Sequence, residues 1–215
     1  MKTITFVRHG QSTANAGGVT MPNELIPLSA LGEKQAQALA NALVMQPSGV
    51  WVSNYLRTQQ TSQAFCKKVS ATPIPHELLH EFSFIDPAQI VGLTGDQRWP
   101  LVQAYWQAAD PHQRLGARAE TFAEFAQRVR SFLPTLEQLP HNTLVFGHGT
   151  WLAMLAWQLM GFSAIDDYGM RAFRAFQQGL PMPNCGVYRF QQTPLGNWRA
   201  EGDEGIMRTV LAVAA

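Results

Sequence analysis

Short apolar runs alternate along this chain with longer segments of helical periodicity. Strands are predicted at residues 3–7, 50–52 and 143–146, with weaker strand patterns at 72–76 and 186–191. The spacing of apolar residues predicts helices at about residues 29–43, 55–69, 121–136, 151–160 and 171–178. Strands that alternate with helices favour an α/β fold, a three-layer α/β/α sandwich around a mostly parallel sheet.

Capping residues mark two of the predicted helix starts. Ser29 is a suitable N-cap for a helix whose apolar face consists of Leu31, Ala36, Leu39, Ala42 and Leu43. Thr121 and Glu124 have the spacing of a capping box. The helix after them carries an apolar stripe that we expect to be core and nothing more, formed by Phe122, Phe125, Ala126, Val129, Phe132, Leu133 and Leu136.

The pattern loosens between residues 86 and 119, where prolines and glycines interrupt it. We expect one short helix there, at about residues 101–109, and interpret 86–119 as a helical and loop insertion over the main fold. Its aromatic residues Trp99, Tyr105 and Trp106 fit core packing and a substrate platform equally well. The whole chain, residues 1–215, is predicted to be a single domain.

Composition narrows the classes of function. The chain has 215 residues, 46% of them hydrophobic, and its 16 basic and 15 acidic residues give a formal net charge of +1. No basic run of the kind that binds nucleic acid or a membrane surface occurs, so any bound anion must be met by a few placed cations. No segment has the apolar length that crosses a bilayer.

Cysteine usage and the N-terminal residues indicate the compartment. Cys66 and Cys185 have neither the paired spacing of metal ligands nor the density of a disulfide scaffold, and we expect both to be buried and inert. The apolar run at residues 1–7 is too short for a signal peptide. These features favour a cytoplasmic enzyme with no membrane and no nucleic-acid partner, and they leave the oligomeric state open.

Two predicted strands end in a histidine flanked by glycine. The first strand runs into Arg8-His9-Gly10, and the strand at 143–146 runs into Gly147-His148-Gly149. Because the carboxyl ends of parallel strands form the usual ligand crevice of an α/β sheet, both histidines should lie at one edge. The strand at 50–52 delivers Ser53 to the same edge, and Arg57 follows one helical turn later.

Two histidines and two arginines at one crevice suit a phosphoryl group. Arginine offers planar, always-charged donors to phosphate oxygens. A neutral imidazole can attack phosphorus, and a protonated one can donate to a non-bridging oxygen where charge builds up. The positive charge of Arg57 in the first turn of a helix is unfavourable next to the positive end of the helix dipole. A bound anion would explain an arginine at this position. No carboxylate or cysteine stands at ligand spacing to these histidines, so neither a metal nor another cofactor is predicted.

Five segments then stand in a specific order along most of the chain. They are Phe6-Val7-Arg8-His9-Gly10-Gln11-Ser12 followed by Asn15, residues 27–36, residues 53–61, Leu79-His80-Glu81-Phe82, and Val145-Phe146-Gly147-His148-Gly149. Together they resemble the histidine phosphatase superfamily, in its phosphoglycerate mutase-like branch. One such motif is weakly specific, whereas five in family order are strongly specific.

The resemblance implies a role for each matching residue. His9 would become phosphorylated, while Arg8, Arg57 and His148 would hold the phosphoryl group. Glu81 would give a proton to the leaving oxygen. Further polar contacts to the phosphate would come from Asn15 and Gln11. Independently of the resemblance, we expect the insertion at 86–119 to lie over the active site.

The chain also departs from the family pattern. Gln11 stands where the family often has an acidic residue, Leu25 where it often has aspartate, and residues 82–87 replace a glycine and a Trp-Glu-Gly segment. These changes concern the substrate-facing wall and the identity of the acid, for which the rivals of Glu81 are Glu77, Asp86 and Asp96. The remaining histidines are expected at the surface or in loops: His76, His80, His112 and His141.

The resulting prediction is a metal-independent phosphatase that hydrolyses a small phosphomonoester through a phosphohistidine on His9. A phosphoglycerate-type phosphomutase is the alternative, although the Arg- and Pro-rich substrate segment of such mutases is missing after Glu81. A catalytically silent phosphoanion-binding module is a further alternative, but it would normally have lost the nucleophile or an arginine. Sugar phosphates, nucleotides, phosphoproteins and cofactor precursors all remain open as substrates.

Overall fold

The computed structural model describes residues 1–163 and 166–214, and a single sheet forms its centre. The strands within these ranges are β1 (Thr3–Arg8), β2 (Val50–Ser53), β3 (Pro73–His76), β4 (Thr143–Gly147), β5 (Val187–Gln192) and β6 (Trp198–Gly202). Their order is β3-β2-β4-β1-β5-β6. The first four pair in parallel, and β5 and β6 extend the sheet in the antiparallel sense. The prediction of a mostly parallel sheet is confirmed.

Helices connect these strands. The α-helices of the described ranges are α1 (Ala30–Ala42), α2 (Leu56–Val69), α3 (Pro87–Ile90), α4 (Gly95–Ala108), α5 (Phe122–Ser131), α6 (Leu133–Gln138), α7 (Gly149–Leu159), α8 (Asp167–Gly179) and α9 (Glu204–Leu211). Short 3-10 helices lie at Asn23–Leu25, Glu77–Leu79 and Ala212–Ala214. No helix in this part of the chain is long and apolar enough to cross a membrane.

Two apolar cores lie on opposite faces of the sheet and produce three layers. On one face, Leu39 of α1 and Phe65 of α2 are fully buried in one cluster with Phe146 of β4. On the other, Phe125 of α5 and Trp151 of α7 belong to a second cluster that includes strand residues. Alternate residues of a strand point to opposite faces, and β1, β2, β4 and β5 each contribute to both cores. The predicted α/β/α sandwich is therefore confirmed.

The predicted helix caps are present, but one predicted helix is divided. Ser29 Oγ accepts the Gly32 N–H at 3.1 Å, and the Thr121–Glu124 capping box has both of its hydrogen bonds. The stripe that was expected in one helix over residues 121–136 belongs to α5 and α6, which meet at Phe132. Pro134 lies in the first turn of α6 and has no N–H to continue the α5 ladder, which explains the break.

Helix α4 is longer than predicted. It begins at Gly95 rather than near residue 101, because Thr94 and Gln97 form a complete capping box ahead of it. Pro100 lies inside the helix and removes only one backbone hydrogen bond there. Tyr105 is buried and Trp106 packs against the same core, whereas the Trp99 side chain is 53% exposed. The aromatic group is therefore divided between core and surface.

Residues 86–119 lie beside the loop that follows β1. Thr20 donates its N–H to the Leu93 carbonyl at 2.9 Å, and Gly92 donates to the Thr20 carbonyl at 2.9 Å. An isolated bridge pairs Ile85 with Leu115 at the base of the segment. The single domain over residues 1–215 stays a prediction, and its residues 164, 165 and 215 lie outside the described ranges.

Candidate active site

The two strand-end histidines come together at the centre of the sheet. Strands β1 and β4 are parallel neighbours in which Arg8 pairs with Gly147, so the next residues, His9 and His148, leave the sheet side by side. Their ring centroids are 5.2 Å apart. Both residues are almost fully buried, with 4% and 1% of their surface exposed. The parallel register therefore creates the pair that the sequence predicted.

Hydrogen bonds fix the orientation and the tautomer of His9. Its Nδ1 lies 2.7 Å from the Gly10 carbonyl oxygen, which can only accept, so Nδ1 carries the proton. Its Nε2 accepts a hydrogen bond from Arg57 Nε at 3.1 Å. The unprotonated nitrogen of His9 thus faces a guanidinium group at the interior of the site.

The protonation of His9 follows from its surroundings. Burial lowers the pKa of His9 well below its ordinary value, and the positive charges of Arg57 and Arg8 lower it further. The imidazole is consequently neutral at neutral pH. A neutral, oriented imidazole with an available lone pair is the form that can attack phosphorus.

Arg57 connects three parts of the site from the first turn of α2. Besides His9, its guanidinium donates to the Asn23 carbonyl oxygen at 2.7 Å and to His148 Nδ1 at 3.2 Å. It also lies over the Tyr55 ring, 4.8 Å from the centroid. Burial lowers the pKa of Arg57 to about 10, so it stays charged at neutral pH. The group is held in place before any anion arrives.

His148 is held in the opposite tautomer. Its Nδ1 faces the donor group of Arg57, so its proton is on Nε2, which lies 2.9 Å from Ser53 Oγ. Burial, Arg57 and His9 hold the pKa of His148 well below its ordinary value. To donate from Nδ1 to a phosphoryl oxygen, His148 must gain a second proton, which a bound dianion would favour.

Arg8 faces a neighbouring cleft. Its Nη1 donates to the Met182 carbonyl, and its buried Nε has no hydrogen-bond partner in the described residues. A Cβ atom on Gly149 would lie 3.3 Å from this Nε, so the glycine keeps the space beside it open. The cleft, of about 320 Å³, is lined by Arg8, Glu81 and Thr150 among others.

Glu81 lies at the N-terminus of α7 in that cleft. Its Oε1 accepts the N–H groups of Phe82 at 2.9 Å and Trp151 at 3.0 Å, and its Oε2 accepts the Thr150 N–H at 3.0 Å. Backbone donors and the helix dipole fix the carboxylate there. The rival Asp86 instead caps α3 through Ala88 and binds Arg118. Of the two carboxyl groups, only Glu81 shares a cleft with Arg8.

Gln11 and Asn15 lie at the rim rather than on the imidazoles. Gln11 Oε1 accepts the Ser29 hydroxyl at 2.7 Å. Asn15 Oδ1 accepts from Asn184 Nδ2 at 3.3 Å, and the same Asn184 group lies 3.2 Å from the His9 carbonyl oxygen. Neither amide contacts an imidazole or guanidinium group of the site, and their phosphate contacts stay a prediction.

Several supporting residues were not predicted from the sequence. Thr61 Oγ1 accepts the Gly10 N–H at 3.0 Å and so fixes the backbone beside His9. Asn184 lies in the turn before β5 and Asn23 in the 3-10 helix Asn23–Leu25, both distant in sequence from their partners, and no local pattern marks them. His80 was placed at the surface or in a loop, but this expectation is incomplete. It is half-buried against Tyr55 and lines a second cleft, of about 450 Å³.

The insertion contributes to this second cleft. Pro87, Arg114 and Arg118 line it together with Tyr55 and His80. Tyr55 in turn packs edge-on against His148, with 5.1 Å between the ring centroids. Within residues 1–163 and 166–214, no group of three or more His, Cys, Asp or Glu side chains is placed to hold a metal ion.

The fold and the site define a class of protein: an α/β sandwich with a neutral imidazole and an arginine facing each other at its central strand ends. Comparison with known families agrees. The model of the histidine phosphatase superfamily (branch 1) matches residues 4–198. The chain belongs to this superfamily.

Individual relatives differ in how much of their length is shared. A protein of Yersinia enterocolitica named "Probable phosphoglycerate mutase GpmB" is 26% identical over 212 residues, 94% of this chain and 90% of that protein. The PE-PGRS family protein PE_PGRS11 of Mycobacterium tuberculosis is 34% identical over 111 residues. That match covers 46% of this chain but only 19% of the relative, so the chain spans about a fifth of that protein.

A solved structure shows the same fold. The mycobacterial glucosyl-3-phosphoglycerate phosphatase has a TM-score of 0.72 to this chain at 22% identity, and the match covers 94% of this chain and 98% of that one.

Proposed function

We propose that this protein is a metal-independent phosphatase that hydrolyses a small phosphomonoester through a phosphohistidine on His9. One observation carries the proposal: the free Nε2 of His9 faces the Arg57 guanidinium at 3.1 Å while the Gly10 carbonyl holds the other ring nitrogen. An entering phosphoryl group would separate the two, with phosphorus towards His9 and its oxygens towards Arg57. This placement supports nucleophilic attack with the negative charge already met.

The proposed reaction has two steps. In the first, His9 Nε2 forms a bond to phosphorus as the bond to the leaving oxygen breaks, and the protonated Glu81 carboxyl gives its proton to that oxygen. In the second, Glu81 takes a proton from water, whose oxygen bonds to phosphorus as the P–N bond breaks. Orthophosphate leaves, and the lone pair of His9 is restored.

The other residues of the site take supporting roles in this proposal. Arg8, Arg57 and His148 hold the phosphoryl oxygens, the last as a donor once it is protonated. Gln11 and Asn15 make polar contacts at the rim. Residues 86–119 form one wall for the leaving group, which the lining of the cleft beside Tyr55 supports.

Phosphoryl transfer back to a substrate is the second candidate. It is favoured by the Yersinia relative, whose name is that of a phosphoglycerate mutase and which this chain matches over 94% of its own length. A mutase must keep the phosphohistidine away from water until an acceptor arrives. Hydrolysis is favoured by the absence from the sequence of the Arg- and Pro-rich substrate segment, and by the name of the mycobacterial neighbour.

Rapid-quench trapping with a labelled phosphate ester tests the proposal. We expect acid-labile, alkali-stable label on the wild-type protein, no label on the His9→Ala protein, and activity on p-nitrophenyl phosphate that survives exhaustive chelation. Far-UV circular dichroism of the His9→Ala protein is the folding control. Label on another residue, or activity lost with EDTA and restored by zinc or magnesium, would contradict the proposal.

The product separates the two candidate reactions. Orthophosphate released in step with the alcohol, even when a second alcohol is present, identifies the phosphatase. Label recovered on the second alcohol identifies the mutase. We also propose that the protein acts in the cytoplasm, and fractionation of the cells that produce it tests this location.

A further inference from the structure

A shallow groove lies beside the Glu81 cleft, where α8 faces the insertion. Gln178, near the end of α8, lines both the cleft with Arg8 and Glu81 and a neighbouring groove of about 230 Å³. The rest of the groove comes from α4 and α8, and includes Trp99, Trp106 and Arg174. The shared Gln178 makes the cleft and the groove neighbours, so a leaving group long enough to pass this residue would enter the groove.

Arg174 is the cation of the groove. Its guanidinium lies over the Trp106 ring, 4.6 Å from the centroid, and its Nη1 donates to Gln177 Oε1 at 2.6 Å. Among residues 1–163 and 166–214 it forms no ion pair, and no other hydrogen bond of its guanidinium is present there. The Nε and Nη2 donors are thus unused by the described protein, although the group is fixed by stacking and by one amide.

Arg174 is half-buried, and within the described residues no carboxylate pairs with its charge. Burial lowers the pKa of Arg174, and no carboxylate counteracts this. The planar edge formed by Nε and Nη2 matches two oxygens of a carboxylate or phosphate. Trp99, 53% exposed in the same groove, offers an apolar surface for the carbon skeleton of a ligand.

A hydrogen-bonded chain connects Arg174 to the proposed acid. Gln177, which receives the Arg174 donor, gives its own Nε2–H to Thr150 Oγ1 at 3.2 Å. The Thr150 N–H in turn donates to Glu81 at 3.0 Å. Two side chains therefore separate the guanidinium from Glu81, so a ligand that reaches both must be several carbon atoms long.

We propose that Arg174 determines substrate specificity by binding a second anionic group at the far end of the leaving group. The substrate class is a phosphomonoester of an extended alcohol that carries a carboxylate or a second phosphate. This inference rests on the proposed phosphatase function.

Matched substrate pairs test it. 6-Phosphogluconate and sorbitol 6-phosphate differ only at C1, which is a carboxylate in the first and a hydroxymethyl group in the second. Fructose 1,6-bisphosphate and fructose 6-phosphate differ only by the second phosphate. We expect the wild-type kcat/KM to favour at least one anionic member, and the pair that shows the preference identifies the anion.

Substitution of Arg174 should remove this preference. In Arg174→Gln, kcat/KM for the favoured anionic member should fall about 10–100-fold, the usual range for losing a charged hydrogen-bonded contact. The kcat/KM values for the member that lacks the second anionic group, and for p-nitrophenyl phosphate, should stay within about twofold of the wild type. Arg171→Gln is the control, because Arg171 is an exposed arginine one turn earlier on α8. Its substrate preference should equal that of the wild type.

The outcomes are separable from failure of the proposed function. Equal losses on both members of a pair would assign Arg174 a structural role through Gln177 and Thr150, and would overturn the inference. So would a wild type without preference in either pair. If the wild type hydrolyses no ester, calorimetry of the same esters with the His9→Ala protein decides. The inference is supported if the His9→Ala protein binds an anionic member more tightly than its partner and the His9→Ala/Arg174→Gln protein does not. Equal affinities of the His9→Ala protein for both members overturn it.

Discussion

Replacing Glu81 by glutamine separates its two roles, because the carboxylate is both the proposed acid and a partner of three backbone N–H groups. A glutamine can keep its oxygen on Phe82 and Trp151 but then turns an NH2 group towards the Thr150 N–H. The cost is one unsatisfied, partly buried donor, about 1–3 kcal/mol. Loss of a negative charge at the α7 N-terminus adds about 0.3–1 kcal/mol. The free energy of unfolding should fall by their sum.

The effect on catalysis should depend on the leaving group. Without a positioned acid, kcat/KM for an alkyl phosphate should fall ~10²–10⁴-fold. By contrast, p-nitrophenyl phosphate releases a phenolate that needs no proton, so its kcat/KM should fall only several-fold. The assay compares the two substrates, with urea unfolding measured on the same preparations to record the loss of stability.

Glu77→Gln is the matched control, since Glu77 is an exposed carboxylate four residues earlier and a rival acid from the sequence. It should change neither stability nor the ratio of the two substrates. Equal losses on both substrates in Glu81→Gln would refute the acid assignment and leave Glu81 a structural role at α7. An unaffected Glu81→Gln enzyme with impaired Asp86→Asn would transfer the role to Asp86.

Two further predictions concern stability. The folded protein holds the pKa values of His9 and His148 well below the ordinary value, so both stay neutral at mildly acidic pH. The same histidines take up protons in the unfolded chain below about pH 6.5, so the free energy of unfolding should fall as the pH drops below that value. At about pH 5.5 the free energy of unfolding should be lower by about 1.4 kcal/mol per histidine. Urea unfolding measures this loss, and the His148→Gln protein should show a smaller pH dependence. A urea midpoint that does not change with pH would contradict a neutral histidine pair. The Gly32→Ala substitution should lower the free energy of unfolding by about 1–3 kcal/mol, because its Cβ would overlap the Gln11 carbonyl oxygen. Gly179→Ala, with open space at the Cβ position, is the control in thermal denaturation, and equal melting temperatures of the two variants would show that the loop gives way without cost.

The sequence was sufficient for the central sheet and for the pairing of the histidines. Strongly apolar strands such as Thr3–Arg8 and Thr143–Gly147 are buried on both faces, so their pattern is clear. Once they are parallel neighbours, His9 and His148 must emerge together. Ser53 and Arg57 follow by the same reasoning from Val50–Ser53, which pairs with Thr143–Gly147.

The elements that were missed have weak or non-local signals. Strand β6 is a short edge strand of sequence Trp-Arg-Ala-Glu-Gly, in which apolar and charged residues alternate but no residue is fully buried, so its apolar signal is weak. Helix α9 after it has a single buried residue, Val210. The contact of Arg57 with the Asn23 carbonyl depends on how α2 meets the 3-10 helix Asn23–Leu25, which no local pattern records. The roles of Arg8, His148 and Glu81 in turnover stay predictions.

The central position of β1 and β4 also has a consequence for how the molecule fluctuates. Both strands have neighbours on either side, so we expect amides in their centres to exchange only when a large part of the sheet opens. Residues 86–119 contribute Tyr105 and Ala109 to the core, but many of their other residues are exposed, so we expect parts of this segment to open at a lower free energy. We therefore expect the amides beside His9 to exchange more slowly than those of the exposed residues of 86–119, a difference that native-state hydrogen exchange would measure.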